Sequence, residues 1–368
     1  MKAGKGAPAL PAMVLTLLLG CEGADWPTWS SSDDGRDEKH TEPDREYLDT
    51  DSSRDAEPSD ADGIDRYAEM DRHDLDAEHS ADGGPPDADS GETEGDSSQC
   101  MGDADCNDDE FCVYGECLEV CGSVIKFKDR QLELAAREAI DKPSGDITAT
   151  DVAQLTGLYA YNRGIKKLDG IHCIKSLITL RVDRNEITSI APVSELHILG
   201  ELQFQNNYVS DITPLKDCVQ ISFLNFSGNH AADIWILHRL KLLSFLAMDN
   251  NGIYDLTPLQ DLIRMNFLGA EYNNISDIMA LNKMVEMESL ALDNNQIDDL
   301  GPVRAMTNLE KASFINNRIE DLTPLVDNEG IGPGDWVDIS DNPIDCDQQA
   351  SNISSLRDRG VDLVTSCE

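Results

Sequence analysis

The chain has 368 residues, with 71 Asp+Glu against 29 Lys+Arg and a formal net charge of −42. That balance excludes nucleic-acid binding, because tracking phosphates requires a cationic face. A single apolar run, at the N-terminus, excludes a polytopic membrane protein.

Lys2 and Lys5 precede an apolar stretch over residues 7–19 that is too short to span a bilayer. It reads as the core of a signal peptide over residues 1–20. It ends Leu18-Leu19-Gly20-Cys21. This order resembles the lipobox of bacterial lipoproteins. The resemblance implies lipid attachment at Cys21 and residence in the bacterial envelope, at the outer membrane, cell surface or periplasm. Membrane contact would be through the lipid anchor alone. An ordinary signal peptide with a nearby cysteine is the alternative.

Residues 21–99 are an acidic tether. Positions 22–99 hold 27 acidic and 6 basic side chains, with no apolar period of 2 or 3.6. Such a composition cannot bury enough apolar area to offset chain entropy, so disorder is expected. Asp60-Ala61-Asp62-Gly63 lacks the spacing and distal Glu of an EF-hand loop.

Residues 100–122 hold Cys100, Cys106, Cys112, Cys117 and Cys121, spaced C-x5-C-x5-C-x4-C-x3-C. So short a span cannot build a core and needs cross-links. The C-x2-C pairs of a zinc site are missing. The segment resembles small cysteine-rich modules of secreted Gram-negative bacterial proteins. Asp103, Asp105, Asp108 and Asp109 read as turn-forming, solvated residues, with calcium ligation as the alternative. No cofactor is expected.

Internal repetition governs the rest. Asn185, Asn207, Asn229, Asn251, Asn273, Asn295 and Asn317 recur at 22-residue steps, each closing a phrase L-x-x-L-x-L-x-x-N with small variations. Leu177, Leu180 and Val182 open one unit, and Leu199, Leu202 and Phe204 the next. A degenerate first unit starts at Leu155, with Arg163 in the Asn position. A last one carries Val337, Ile339 and Asn342 after a three-residue insertion. Apolar residues two apart make a short strand with one buried face. Each coil must stack on its neighbours to cover that face. Asp before each turn can cap a short 3₁₀ segment, and Asn can bond buried backbone between coils.

This pattern, with D-I-T-P-L at 211–215 and D-L-T-P-L at 255–259 and 321–325, resembles the leucine-rich repeat family in the 22-residue form of internalins. The resemblance implies an α/β leucine-rich repeat solenoid. Short parallel strands would line the concave face and 3₁₀ or irregular segments the convex face. Residues 123–154 would form a helical N-cap, with Leu132, Ala135, Ala136, Ala139 and Ile140 at helical spacing. Residues 155–345 would be the repeats and 346–368 the C-cap, with a helix over 347–358. Family members of this kind close that cap by a disulfide, here Cys346–Cys367. Cys218 matches the inward Leu196, Leu240 and Leu262 and is expected as a buried thiol. With Cys21 acylated, eight cysteines remain for four bridges, and Cys121–Cys173 would tie the small module to the first coils. Cys100–Cys112 and Cys106–Cys117 are favoured among the three pairings open to the other four.

No catalytic constellation is present, neither HExxH, G-x-S-x-G nor a P-loop, and no enzyme activity is expected. The resemblance implies a monomeric recognition protein that binds a partner protein through the concave face. The outward strand positions supply the candidate site. One row reads Thr179, Glu201, Phe223, Phe245, Phe267, Ser289, Lys311 and Trp336. The next is small at Ala247, Gly269 and Ala291, and beyond it lies an acidic row, Asp249, Glu271 and Asp293. A ladder of Phe223, Phe245 and Phe267, with Trp336 in the same row, beside an anionic rim suits a basic, apolar protein surface. The alternatives are rings that pack on one another as a stabiliser, an envelope spacer or scaffold, and a repeat-type regulatory subunit.

Overall fold

Two apolar residues two apart, repeated every 22 positions, can only be satisfied by strands that stack in register. The structure, a computed structural model, describes residues 100–367. The lipid attachment expected at Cys21 and the acidic tether expected over residues 21–99 lie outside the described residues.

Ten short strands form one parallel sheet: β3 (Gly157–Tyr159), β4 (Thr179–Arg181), β5 (Glu201–Gln203), β6 (Phe223–Asn225), β7 (Phe245–Ala247), β8 (Phe267–Gly269), β9 (Ser289–Ala291), β10 (Lys311–Ser313), β11 (Trp336–Asp338) and β12 (Asp362–Val364). From β3 to β10 each strand pairs with the one 22 residues on, so Phe223 faces Phe245 and Phe245 faces Phe267. The central strand residues Leu180, Leu202, Leu224, Leu246 and Leu268 are fully buried. They join Val182, Phe204, Phe226 and Met248 in one continuous core.

The Asn positions hold the coils together. Asn207 donates from Nδ2 to the carbonyls of Val182 (3.1 Å) and Phe204 (2.8 Å), and accepts at Oδ1 from Ile187 N–H (2.9 Å). Asn251 repeats this with Phe226, Met248 and Ala231. One amide thus satisfies groups of two coils that would otherwise be orphaned in the core. The residue before each Asn takes the left-handed region, as at Asn206, Asn250 and Asn294 (φ 57°, 51° and 57°).

Opposite the sheet run 3₁₀ turns such as Thr213–Asp217, Thr257–Leu259 and Gly301–Ala305. Their entries are fixed as the Asp spacing predicts. Asp211, Asp255 and Asp299 each accept from the N–H two residues on, at 2.7–2.8 Å. Pro follows at Pro214, Pro258 and Pro302, where a missing N–H costs nothing.

Helix α1 (Arg130–Ala139) caps the first coil. Asp129 starts it, accepting from Gln131 and Leu132 N–H through Oδ1, and reaches Lys166 N–H through Oδ2 (2.8 Å). Leu132, Ala135 and Ala136 are buried as expected. Ala139, the last residue of the helix, is exposed instead, and Ile140 packs against the core just before the chain turns at Asp141 (φ 52°). A short helix α2 (Ala149–Val152) follows. At the other end a helix α3 (Thr323–Asp327) replaces the 3₁₀ turn of the last repeat. The C-cap helix α4 (Ala350–Asp358) begins later than residue 347. The Asp345 carboxylate accepts from Asp347 and Gln348 N–H and holds that stretch as a turn. Beyond it β12 extends the sheet by a strand the repeat pattern does not contain.

The cysteine module is a hairpin, β1 (Glu110–Val113) and β2 (Glu116–Glu119), turned at Tyr114 and Gly115 (φ 48° and 79°). Disulfides join Cys100–Cys112, Cys106–Cys117, Cys121–Cys173 and Cys346–Cys367, and Cys218 is a buried free thiol. The described residues therefore form a leucine-rich repeat solenoid with helical and disulfide-closed ends.

Candidate functional site

Strand alternation sends every second side chain of the sheet outward, and the register lines those side chains up across coils. Phe223, Phe245 and Phe267 open strands β6, β7 and β8 and stack in one ladder. Ring centroids are 4.0 Å apart for Phe223–Phe245 and 4.1 Å for Phe245–Phe267, with planes within 5°. That is closer than the strand spacing of about 4.8 Å. Side chains on the inner side of a curved sheet converge in this way. Each ring is half-buried, with a stacked neighbour covering at least one of its faces. The rings therefore pack on one another and also remain presented.

Trp336 occupies the same row but stands three strands beyond Phe267, with Ser289 and Lys311 between. The structure does not bring it to the ladder. At the other end the row becomes polar. Arg181 pairs with Glu201 at 2.7 Å and lies 5.7 Å from the centroid of the Tyr159 ring.

Beside the ladder the strand ends are small and buried: Ala247, Gly269 and Ala291. Gly269 does not serve a left-handed backbone. A β-carbon there would lie 3.4 Å from Phe267 Cε1 and 3.2 Å from Asp249 Oδ1. The missing side chain makes room for both groups.

The acidic row differs from a freely solvated rim. Asp249 accepts from Glu271 N–H (2.9 Å) and from Ser227 Oγ (2.9 Å). Asp293 accepts from Ile315 N–H (2.8 Å) and Ser313 Oγ (2.5 Å). These two carboxylates bond coil to coil. Glu271, between them, has no hydrogen bond to its carboxylate among the described residues. Burial, and then the charges of Asp249 and Asp293, push its pKa up to about 7. Burial also raises Asp249 and Asp293. At neutral pH the row therefore carries less than its full negative charge.

Sequence reading missed His172. It is buried at the junction of the small module and the first coils, and its Nε2 lies 2.8 Å from the Glu119 carbonyl. Desolvation lowers its pKa, which favours the neutral ring. Lys128 bridges the same junction, to Glu110 (3.3 Å) and Asp169 (3.1 Å). Nothing in the local sequence distinguishes these residues from solvated ones. In the module, Asp103 accepts from Cys112 N–H and Asp105 from Met101 and Gly102 N–H. Those carboxylate oxygens shape turns. The cysteine groupings Cys100, Cys106, Cys117 and Cys121, His172, Cys173 have their sulfurs in disulfides. On the 3₁₀ side, Tyr254, Thr257, Met279 and Lys283 line an open cleft of about 510 Å³. Its Asp255 and Asp277 already accept from Thr257 and Met279 N–H.

No protein-family model matches the chain, and no curated protein matches it. Solved structures do. An internalin (InlF) of Listeria monocytogenes aligns at 25% identity and a TM-score of 0.59, covering 65% of this chain and 68% of that one. Internalin C2 of the same organism aligns at 27% identity and a TM-score of 0.55, covering 55% of this chain and 91% of its own. The chain is similar to internalins in its repeat solenoid.

Proposed function

We propose that the protein is a non-catalytic recognition protein of the bacterial envelope, anchored by a lipid on Cys21, that holds a partner protein on its open sheet face. The observation that carries this reading is the half-exposed stack of Phe223, Phe245 and Phe267 on that face. Aromatic side chains presented on a rigid sheet supply contact area at little cost in conformational entropy, and they dominate many interfaces. Similarity to the two internalins supports a binding role. Four disulfides support an oxidising, extracytoplasmic setting. The ladder favours recognition over a spacer, since a spacer needs no presented aromatic groups.

Site-specific photo-crosslinking tests the face. A benzoylphenylalanine replacing Phe245 should trap a protein on the bacterial surface, while the same group replacing Tyr254 should not. Trapping from the Tyr254 position alone would move the site to the 3₁₀ side. Fatty-acid labelling that persists in Cys21→Ser would remove the anchor from this reading.

A further inference from the structure

The carboxylates beside the ladder have no cation. Several half-exposed or exposed acidic side chains elsewhere on the repeats have a cation: Glu195 pairs with Lys175, Glu201 with Arg181, Asp261 with Lys283 and Asp327 with Arg304. Asp183 occupies the same row in an upstream coil, and Arg181 and Arg184 act on it. Around Asp249, Glu271 and Asp293 the charges that act are other carboxylates, Asp338 included. Among the described residues no Lys, Arg or His forms an ion pair with any of the three.

The fold does not require acids here. Other coils fill this row with Gln205, Ser227, Ile315 and Ser340. The unpaired acids fall in the coils of Phe245 and Phe267 and the next one on. Burying carboxylates without a counter-ion is unfavourable. Here the cost falls beside the ladder, where the Asp249 carboxylate and the Phe267 ring close over the Gly269 position at 3.2 and 3.4 Å. Successive outward positions of an extended segment are about 6.6 Å apart, so a cation and an apolar side chain two positions apart can meet carboxylate and ring together.

We infer that this face receives a lysine or arginine of the partner protein. An apolar residue two positions away on an extended segment would lie on the Phe ladder, and the cationic head would sit over Glu271. This rests on the partner-binding reading above. A cation over Glu271 favours the ionised carboxylate. Capture therefore expels the proton that Glu271 holds below about pH 7 and strengthens as pH rises. The charged groups facing Glu271 are Asp249 and Asp293, one on each neighbouring coil, and they add to the demand for a cation.

The test is selection of a random 12-residue peptide phage library on the immobilised full-length protein, counter-selected on Phe245→Ser/Phe267→Ser. The expected binders carry Lys or Arg two positions from an apolar residue. The best one, resynthesised, should bind Glu271→Gln at least tenfold more weakly at pH 7.5. Its affinity for the wild type should rise from pH 5.5 to 7.5 and stay flat for Glu271→Gln. Ladder-dependent binders with no Lys or Arg enrichment, or binding indifferent to Glu271→Gln, would overturn this inference and leave the ladder standing. A library with no ladder-dependent binder would count against both.

Discussion

The Phe267 ring and the Asp249 carboxylate close over the same residue, Gly269, at 3.4 and 3.2 Å from where its β-carbon would lie. Aromatic ladder and acidic row are thus one surface, joined by an absent side chain. In Gly269→Ala the added methyl must displace the carboxylate or the ring by a few tenths of an ångström. A loss of about 1 kcal/mol in stability is expected, with weaker partner capture. Urea melts and a capture assay check this. A variant identical to the wild type in both would separate ladder from acids.

Tyr272 sits in the left-handed region at φ 53°, where one equivalent coil places Arg184 and the others Asn206, Gly228, Asn250, Asn294 and Asn316. A bulky side chain there is strained, while Asn tolerates the conformation. Tyr272→Asn should stabilise the protein by about 0.5–1 kcal/mol, read as a higher denaturant midpoint. An unchanged or lower midpoint would mean that the exposed ring makes contacts that offset the strain.

Burial pushes the Cys218 thiol up to about 12. It should resist alkylation in the native protein, because the thiolate is the reactive form. In denaturant without reductant, peptide mapping should find Cys218 as the one alkylated cysteine among residues 100–367. A second labelled cysteine there, or a protected Cys218, would break the pairing.

The pH dependence follows from Glu271. Its pKa in the fold is raised from 4.5 to about 7, so the native state holds a proton that the unfolded chain has released. The stability this proton confers is complete below about pH 4.5 and is lost as pH rises to about 7. Many other carboxylates titrate in that window in a chain of net charge −42, so the informative quantity is a difference. Glu271→Gln should gain on the wild type between these pH values, in denaturant midpoints taken at each pH. A constant difference would place Glu271 at an ordinary carboxylate pKa.

The solenoid is legible because its determinants are local and periodic. A Leu-type residue every 22 positions can sit only in one stacked core, and Asn185 and its successors have one task in every coil. The register of Phe223, Phe245 and Phe267 follows from the same period. Strand β12 is not legible, since Asp362–Val364 alternates as many exposed segments do and pairs only because α4 delivers it to β11. The bonding of Asp249 and Asp293 is hidden for another reason. Their acceptors serve N–H groups 22 residues on, and a sequence shows an Asp without showing which backbone it reaches. His172 and Lys128 depend on where a disulfide-tied hairpin docks, which no repeat encodes.

Partner recognition by the Phe ladder is tested most directly by measuring partner capture and thermal stability together on Phe245→Ser/Phe267→Ser. Capture should be lost with little change in melting temperature. The core beneath the ladder is complete without the rings, since Leu246 and Leu268 are fully buried on the other face. Intact capture with a large fall in melting temperature would contradict recognition by the ladder and make it a brace of the solenoid.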